Sequence, residues 1–374
     1  MILVFGATGF TGRMVVEDLV ERGLAVRIAG RSQERLRRLS ERHGGLDWAV
    51  ADVEDPASVA RAADGASVLV TTVGPYSWWG QIAAEAAIEH GIPYIDITGE
   101  PAFVRRIFEE FGPRAESAGC AMLTAMGYDY VPGNLAGALA LEAAGGAARS
   151  VDIGYFLSGE TSRSLGSFSG GTLRSLRASS SAMQFAWRDG ALVDERGAKR
   201  MLKFEFGGKS ATAISIGSTE HLSLPRLHPE LRTVNVGLGW FGSASRAVSL
   251  FSAAGAKAER VPLLGGLIRR GSGGAGDRAP QTKQRAEPAG PSDDSRRQAR
   301  TDVIAVARDA SGAELASVRL DGPNPYDLTG KLAGWAAERA AAGAINGTGA
   351  LGPVEAFGLE PLRAACETFG LKEV

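Results

Sequence analysis

The sequence predicts an α/β protein: a doubly wound parallel sheet with an inserted α+β domain that is built on an antiparallel sheet. Over the first third of the chain, short apolar runs alternate with helical segments, and a glycine-rich turn joins the first run to the first helix. From residue 151 onward, alternating apolar and polar residues are joined by hairpin signals. Strands joined by helices form a parallel sheet covered on both faces, whereas hairpins form antiparallel sheets.

Six strands and their connecting helices are predicted before residue 130. The strand predictions are residues 2–5, 25–29, 48–51, 67–73, 94–97 and 121–125. The helix predictions are residues 13–22, 32–43, the segment opened by Asp55-Pro56, 81–89 and 101–117. Ser32 and Pro56 support two of these starts, because serine caps helices and proline is accepted in a first helical turn.

A different pattern follows residue 130. Asp189-Gly190 and residues 309–312 predict hairpin turns, the second between strands at 302–307 and 314–320, and residues 203–222 alternate over a long span. Residues 271–300 are rich in glycine, serine, proline and charge, which predicts a mobile loop. Helices are predicted at 326–342 and 361–369. The predicted units are residues 1–130, an inserted substrate or dimerisation domain at 131–325, and C-terminal helices at 326–374 that return to the first unit.

The composition excludes several classes of protein. The 374 residues suffice for about two domains, and a formal net charge of -1 argues against bulk electrostatic binding to nucleic acid. Cys120 and Cys366 alone make neither a disulfide framework nor a zinc site, and they fit a reducing, cytoplasmic location. The four histidines lack metal-ligand spacing, so no metal is expected.

Neither a signal peptide nor a membrane span is predicted. The apolar residues 1–5 lack a basic leader and lead into glycines, which indicates a buried strand. The nearest approach to a span, residues 247–268, is interrupted by Lys257, Glu259 and Arg260. The basic pair Arg269-Arg270 follows this segment. The segment could therefore contact a membrane surface peripherally, and the alternative is an ordinary amphipathic core helix.

The strongest motif is a glycine-rich turn that follows the first strand and opens the first helix. Its residues are Gly6, Ala7, Thr8, Gly9, Phe10, Thr11 and Gly12. Glycines let the backbone approach a pyrophosphate, and the helix N-terminus offers that anion free N–H groups and a positive dipole end. This strand, turn and helix form the start of a Rossmann fold, and they predict a dinucleotide site.

The second strand distinguishes the two nicotinamide cofactors. An NAD site usually places an acidic residue on the ribose hydroxyls, but Gly30, Arg31 and Ser32 stand here. Arginine and serine suit a 2′-phosphate, so NADP(H) is predicted, and Arg35 is one turn further on. The alternative is that Arg31 is only a solvated residue at a helix start. Asp52 ends the third strand, as an adenine contact or as a cap of the next helix.

Three loops converge at the carboxyl ends of the predicted strands. They are residues 74–80, 96–100 and 126–134, and Val73, Gly74 and Pro75 are predicted to run along the nicotinamide. The candidate catalytic residues are Tyr76 first, then Tyr128 and Tyr130, since tyrosine can donate a proton or hold an oxyanion. The alternative for all three is domain packing. Glu100 and Asp129 are acid, base or orienting candidates, with helix capping and turn formation as alternatives.

Other catalytic motifs are absent from the sequence. It contains no G-x-S-x-G elbow or P-loop, and the tyrosines above lack the lysine four residues on that marks ordinary short-chain dehydrogenases.

A set of motifs resembles the saccharopine dehydrogenase-like oxidoreductases, and most closely their trans-acting enoyl reductase branch. The motifs are residues 6–12, 29–31, 73–76, 94–100 and 127–133, followed by the later landmarks 290–296 and 324–326. The resemblance is dense over residues 1–135 and patchy beyond. It implies a Rossmann domain completed by C-terminal helices, an inserted α+β domain, NADP(H) and hydride transfer. The sequence departs from the commoner pattern at Ser77-Trp78-Trp79 and in a longer polar loop before Gly290.

The leading hypothesis is an NADPH-dependent oxidoreductase that reduces a polarised double bond. The expected bond is a conjugated C=C, an enoyl group, of a polyketide, lipid or other secondary-metabolite intermediate that is free or bound to a carrier. A homodimer is left open. Arginines for a dicarboxylate substrate are scattered, at Arg163, Arg174, Arg177 and Arg188. The alternatives are imine (C=N) reduction of the saccharopine dehydrogenase type, a non-catalytic NADP(H)-binding regulator, and a lipid-associated scaffold.

Overall fold

A computed structural model describes residues 1–158, 183–206, 208–240, 249 and 290–374 of the chain. Strands are numbered β1 to β16 and helices α1 to α12 in chain order over these residues. The first sheet has seven parallel strands in the order β3-β2-β1-β4-β5-β6-β15. Its strands are β1 (Ile2–Phe5), β2 (Val26–Gly30), β3 (Asp47–Val50), β4 (Val68–Thr71), β5 (Tyr94–Asp96), β6 (Ala121–Leu123) and β15 (Gly349–Ala350).

The central strands of this sheet are short and covered on both faces, whereas both ends of the edge strand β3 are exposed. Every residue of β1 and β4 is buried, as expected for the centre of a parallel sheet between two helical layers. The connecting helices are α1 (Phe10–Glu21), α2 (Gln33–Arg42), α3 (Pro56–Ala63), α4 (Tyr76–Glu89), and α5 (Pro101–Arg106) with α6 (Gly112–Ser117), joined by a π-helical turn at Ile107–Phe111. The predicted doubly wound sheet is confirmed, and its strand order reverses between β1 and β4.

The second sheet has nine strands and is mixed. Its strands are β7 (Ser150–Ser158), β8 (Met183–Arg188), β9 (Ala191–Arg196), β10 (Met201–Phe206), β11 (Lys209–Ser215), β12 (Thr233–Leu238), β13 (Arg300–Arg308), β14 (Glu314–Gly322) and β16 (Lys372–Glu373). Both predicted hairpins are present, and every pair is antiparallel except β12 with β7. The expectation of a purely antiparallel sheet is wrong for that pair, because helix α8 (Glu220–Leu227) carries the chain across before β12.

The remaining helices link the two sheets. They are α7 (Val131–Ala144), α9 (Asp293–Gln298), α10 (Pro325–Ala341), α11 (Pro353–Phe357) and α12 (Leu359–Thr368). Helix α10 lies along α1, with Lys331 2.8 Å from Asp18 and Arg22 2.7 Å from Glu338. The C-terminal residues serve both sheets, since β15 extends the first and β16 pairs with β14.

Two local expectations are corrected. The predicted run 203–222 divides into β10, β11 and the first turn of α8. The predicted mobile loop 271–300 falls outside the described residues up to 289, but its end forms α9 and begins β13. Ser292 caps α9 by accepting a hydrogen bond from the Ser295 N–H at 3.2 Å. Residues 247–268 except 249, and Arg163, Arg174 and Arg177, also lie outside the described residues.

Helix α7 and the two-residue strand β15 were not anticipated. Helix α7 is buried on all sides from Val131 to Leu141, so its sequence lacks the amphipathic period that signals a helix. Within the described ranges, no helix is long and apolar enough to cross a membrane.

Candidate functional site

The glycine-rich turn lies at the point where the strand order reverses, which is where open α/β sheets bind ligands. Gly6 has a φ of +88°, which disfavours a side chain. A Cβ at Gly12 would lie 2.2 Å from the Gly6 carbonyl oxygen, so helix α1 starts this close to the turn only because residue 12 is glycine. The Thr72 hydroxyl donates to the same Gly6 oxygen at 3.1 Å. The fixed turn therefore presents the N-terminus of α1 at the sheet edge.

The end of β2 lies beside this turn. A Cβ at Gly30 would be 3.8 Å from the Thr8 hydroxyl, which places strand end and turn in contact. Arg31 follows and is exposed, and Ser32 caps α2 by accepting from the Arg35 N–H at 3.4 Å. Asp52 accepts from the Glu54 N–H at 3.0 Å, which closes a turn before α3, and the cap position of that helix is Asp55. The turn and Arg31 thus form a cradle with a cation at its edge, which fits a dinucleotide phosphate.

Residues 73–75 lead from β4 into α4, and Glu100 caps that helix. Its carboxylate accepts from the Tyr76 N–H and the Ser77 N–H, both at 2.9 Å, and from the Ser77 hydroxyl at 2.6 Å. Capping, one of the two alternatives for Glu100, is what the structure shows. The Tyr76 hydroxyl is buried and donates to the Thr71 carbonyl at 3.1 Å, and burial raises the pKa of Tyr76 well above its usual value.

The other two candidate tyrosines follow β6. The Tyr130 hydroxyl donates to the Gly99 carbonyl at 3.2 Å, whereas the Tyr128 hydroxyl is buried without a hydrogen bond of normal geometry to any described residue. The Tyr128 ring meets Tyr155 edge to face at 5.5 Å and stacks on Trp240 at 6.2 Å. Burial raises the pKa of both Tyr128 and Tyr130. The side chains of Thr301 and Trp240 lie beside the Tyr128 hydroxyl and partly offset the rise of its pKa, and a role of this hydroxyl toward a ligand stays a prediction.

Asp129 lies between these tyrosines and reaches the same edge of the sheet. Its side chain packs against Gly99, where a Cβ would lie 2.7 Å from Oδ2. The residue is partly exposed, and its Oδ1 has no hydrogen bond to a described residue. Burial of the carboxyl raises the pKa of Asp129 to about 7, and no described cation opposes this shift. Asp129 can therefore hold or release a proton near neutral pH.

Asp96 fixes the loops on which these groups stand. Its buried carboxylate accepts from the Thr98 and Ala125 N–H groups, both at 2.9 Å, and from the Thr124 hydroxyl at 2.8 Å. Burial raises the pKa of Asp96 to about 6. Ala125 has a φ of +60°, an uncommon conformation for alanine that this hydrogen bond supports. Asp96 thereby joins the loop after β5 to the loop that carries Asp129.

Glu220 is a second buried acid behind the tyrosines, and the sequence offered no signal for it. Its carboxylate accepts from the Tyr155 hydroxyl at 2.7 Å, and that hydroxyl accepts from the Gly133 N–H at 2.8 Å. Burial raises the pKa of Glu220 to about 7. The contact joins the start of α7 to β7 and α8, so its role is to hold the wall of the site.

Replacing Glu220 by glutamine is expected to change how stability depends on pH. The pKa of Glu220 rises from 4.5 to about 7 on folding because of burial, so the folded wild type binds an extra proton between these values. Its unfolding free energy should therefore fall as pH rises through that window. Glu220→Gln lacks this loss and should exceed the wild type at pH 8 by on the order of 2 to 3 kcal/mol, and match it near pH 4.5.

Urea denaturation at pH 4.5, 6 and 8 measures this difference. The exposed Glu116→Gln variant is the control and should follow the wild type throughout. An equal offset of Glu220→Gln at all three pH values would contradict the assigned titration.

The structure brings the predicted cofactor and tyrosine residues to one edge of the first sheet, with Asp52 in a turn after β3. Their roles in binding and catalysis stay predictions. Within the described ranges, no group of three or more His, Cys, Asp or Glu side chains could hold a metal ion.

Comparison with known proteins agrees with this arrangement. A sequence-family model described as NAD(P)H-binding matches residues 6–95. The trans-acting enoyl reductase of Mycobacterium ulcerans is 38% identical over 140 residues, which cover 36% of this chain and 34% of that protein. A lipid droplet localized protein of Caenorhabditis elegans is 36% identical over 146 residues, with the same coverage of 36% and 34%. The chain thus spans about a third of the length of these relatives.

Among solved structures, a saccharopine dehydrogenase aligns with the whole chain. Saccharopine dehydrogenase (L-Glu forming) from Saccharomyces cerevisiae superposes with a TM-score of 0.60 at 16% identity, over 100% of this chain and 99% of that one. At this identity the likeness shows the fold. The resemblance to saccharopine dehydrogenase-like oxidoreductases and their trans-acting enoyl reductase branch is therefore confirmed: the chain combines an NAD(P)H-binding region similar to those reductases with the fold of saccharopine dehydrogenase.

Proposed function

We propose that this protein is an NADPH-dependent oxidoreductase that reduces a polarised double bond, a conjugated C=C of an acyl intermediate. The observation that carries the proposal is the Asp129 carboxyl, which packs on Gly99 at the nicotinamide edge and whose pKa burial raises to about 7. Bound NADPH supplies a hydride to the electron-poor carbon. Asp129 gives a proton to the neighbouring carbon, and the Tyr128 hydroxyl holds the developing enolate oxygen.

The charge around the site supports a neutral substrate over an amino-acid adduct. An adduct with two carboxylates needs cations, and no described cation lowers the pKa of Asp129. Arg188, one of the arginines considered for such a substrate, is bound to Glu195 at 3.1 Å and to the Val234 carbonyl at 2.6 Å. The described wall is aromatic instead, with Tyr128 stacked on Trp240. Imine reduction remains the second candidate activity.

The enoyl reductase name of the mycobacterial relatives supports the same choice of bond. We also expect that a carrier protein presents the acyl chain, that the protein is cytoplasmic and that it forms a homodimer. Lipid droplet localisation is stated of the Caenorhabditis elegans relative. The apolar segment 247–268 that would carry it here lies outside the described residues except for residue 249.

Fluorescence titration with NADPH and NADH tests the cofactor. The wild type should bind NADPH more tightly than NADH. Arg31→Gln should weaken NADPH binding about 10- to 100-fold and leave NADH nearly unchanged, because a charge-assisted hydrogen bond to a phosphate contributes roughly 1.5 to 3 kcal/mol. Arg37→Gln on the exposed face of α2 is the matched control.

Three experimental outcomes would redirect the proposal. Equal affinity of the wild type for NADPH and NADH would show that the protein does not prefer NADPH. Oxidation of NADPH with a keto acid plus amine, and none with enoyl thioesters, would establish imine reduction. Tight NADPH binding without turnover of either class would support the non-catalytic regulator.

A further inference from the structure

Residues 290–296 and 324–326 are two sequence landmarks without a role in the proposed reaction. They are far apart in sequence from the glycine-rich turn, but all three meet at Phe10, the first residue of helix α1. The Tyr326 ring contacts the Phe10 ring edge to face, with centroids 5.3 Å apart and planes at 86°. The Arg296 guanidinium lies over the Phe10 ring at 5.8 Å from its centroid.

Gly290 completes the enclosure of Phe10. A Cβ at Gly290 would lie 2.3 Å from the Phe10 ring, so the backbone of this segment reaches the ring only because residue 290 is glycine. The ring is thus held on separate sides by backbone, a cation and a second aromatic ring. Such a cluster restricts the position of Phe10, whose neighbouring N–H groups begin the helix.

Arg296 is itself held by two carboxylates. Its Nη2 donates to Asp293 at 2.6 Å and its Nη1 donates to Asp327, while its Nε is buried without a partner among the described residues. Asn324 orders Asp327 by accepting from its N–H at 3.0 Å. The guanidinium therefore bridges α9 to the first turn of α10 while it covers Phe10.

We propose that Arg296 and Phe10 are positioning residues for the dinucleotide phosphates. Arg296 does not need to touch the cofactor: it fixes Phe10, and Phe10 fixes the first turn of α1, which presents the phosphate-binding N–H groups. A binding site is tighter when its groups are held in place before the ligand arrives. Because linkage is reciprocal, bound NADPH must also stabilise the contact of α9 with Phe10. The inference rests on the proposed cofactor.

NADPH titration of Arg296→Gln and Phe10→Leu tests the positioning role. Each variant should raise the Kd for NADPH about tenfold, because cation–π contacts and partly buried ion pairs together contribute on the order of 1.4 kcal/mol. For Arg296→Gln, the rate at saturating NADPH should stay within twofold of the wild type, because Arg296 acts only through Phe10. Arg297→Gln is the matched control, since Arg297 is exposed on the same helix and pairs only with Asp294 among the described residues.

Hydrogen exchange with and without NADPH gives a second readout. In the wild type, NADPH should slow amide exchange in residues 293–298, and Phe10→Leu should abolish this protection. Wild-type affinity in both variants, or no protection of 293–298 in the wild type, would overturn the inference. If Arg296→Gln fails to fold, the Phe10→Leu result decides. Failure of the wild type to bind NADPH would instead remove the proposed function, and this inference with it.

Discussion

Replacing Asp129 by asparagine is expected to lower kcat about 100- to 1,000-fold and to leave the Kd for NADPH within twofold. Asp129 is a partly exposed residue at the proposed nicotinamide edge, and burial of its carboxyl raises the pKa to about 7. General acids of this kind contribute typically 10²- to 10⁴-fold. Asparagine keeps the shape of the side chain against Gly99 but carries no transferable proton.

The pH dependence of kcat distinguishes a general acid from a general base at Asp129. The wild-type kcat should fall as pH rises through about 7, because Asp129 then loses the proton that it must donate. Asp129→Asn should lose this transition. Steady-state rates from pH 5.5 to 9 measure both effects, with the exposed Asp294→Asn as control. A wild-type rate and pH profile in Asp129→Asn would assign the proton to another group, and Tyr128→Phe would then be the variant to examine.

The second large effect is expected from Gly12→Ala. The new Cβ would lie 2.2 Å from the Gly6 carbonyl oxygen and 2.9 Å from the Thr72 hydroxyl, so helix α1 must move away from the turn. Over-packing of this kind costs typically 1 to 3 kcal/mol of stability. Because the displaced helix start carries the N–H groups that we propose to bind the phosphates, NADPH affinity should fall more than about 100-fold, a loss above roughly 2.8 kcal/mol.

Urea denaturation and NADPH titration measure the two consequences together. Gly146→Ala is the matched control, because a Cβ there meets no atom within 4 Å, and it should keep wild-type affinity. A Gly12→Ala variant that binds NADPH like the wild type would show that the turn is not the phosphate site.

The first sheet could be predicted closely because its signals are local. Each central strand is a continuous apolar run that ends in a glycine, proline or capping signal, so β1, β2 and β4 lie within a few residues of their predicted positions. The second sheet was predicted less well. Its pairing of β7 with β12 joins strands far apart in the chain, and alternation in sequence does not specify a partner or a direction.

The candidate site was predicted as a set of residues but not as an arrangement. The sequence does not distinguish a catalytic role of Glu100 from a capping role. Its contacts with the start of α4, 24 residues earlier in the chain, show that it caps that helix. Glu220 gave no signal because its importance depends on burial against Tyr155, 65 residues away. Asp129 was one candidate among several, and burial singles it out by raising its pKa to about 7.

The strand–turn–helix start, the Arg31-Ser32 pair at the end of β2 and the polar residues at the strand ends can all be recognised in the sequence. These features depend on burial, glycine geometry and capping, and residues close together in the chain are sufficient to produce them. Three further features required the folded structure: the burial of the Asp129 carboxyl, the burial of the Tyr128 hydroxyl, and the position of Arg296 over the Phe10 ring. Those properties depend on desolvation and on distances between segments far apart in the chain, and packing alone creates them.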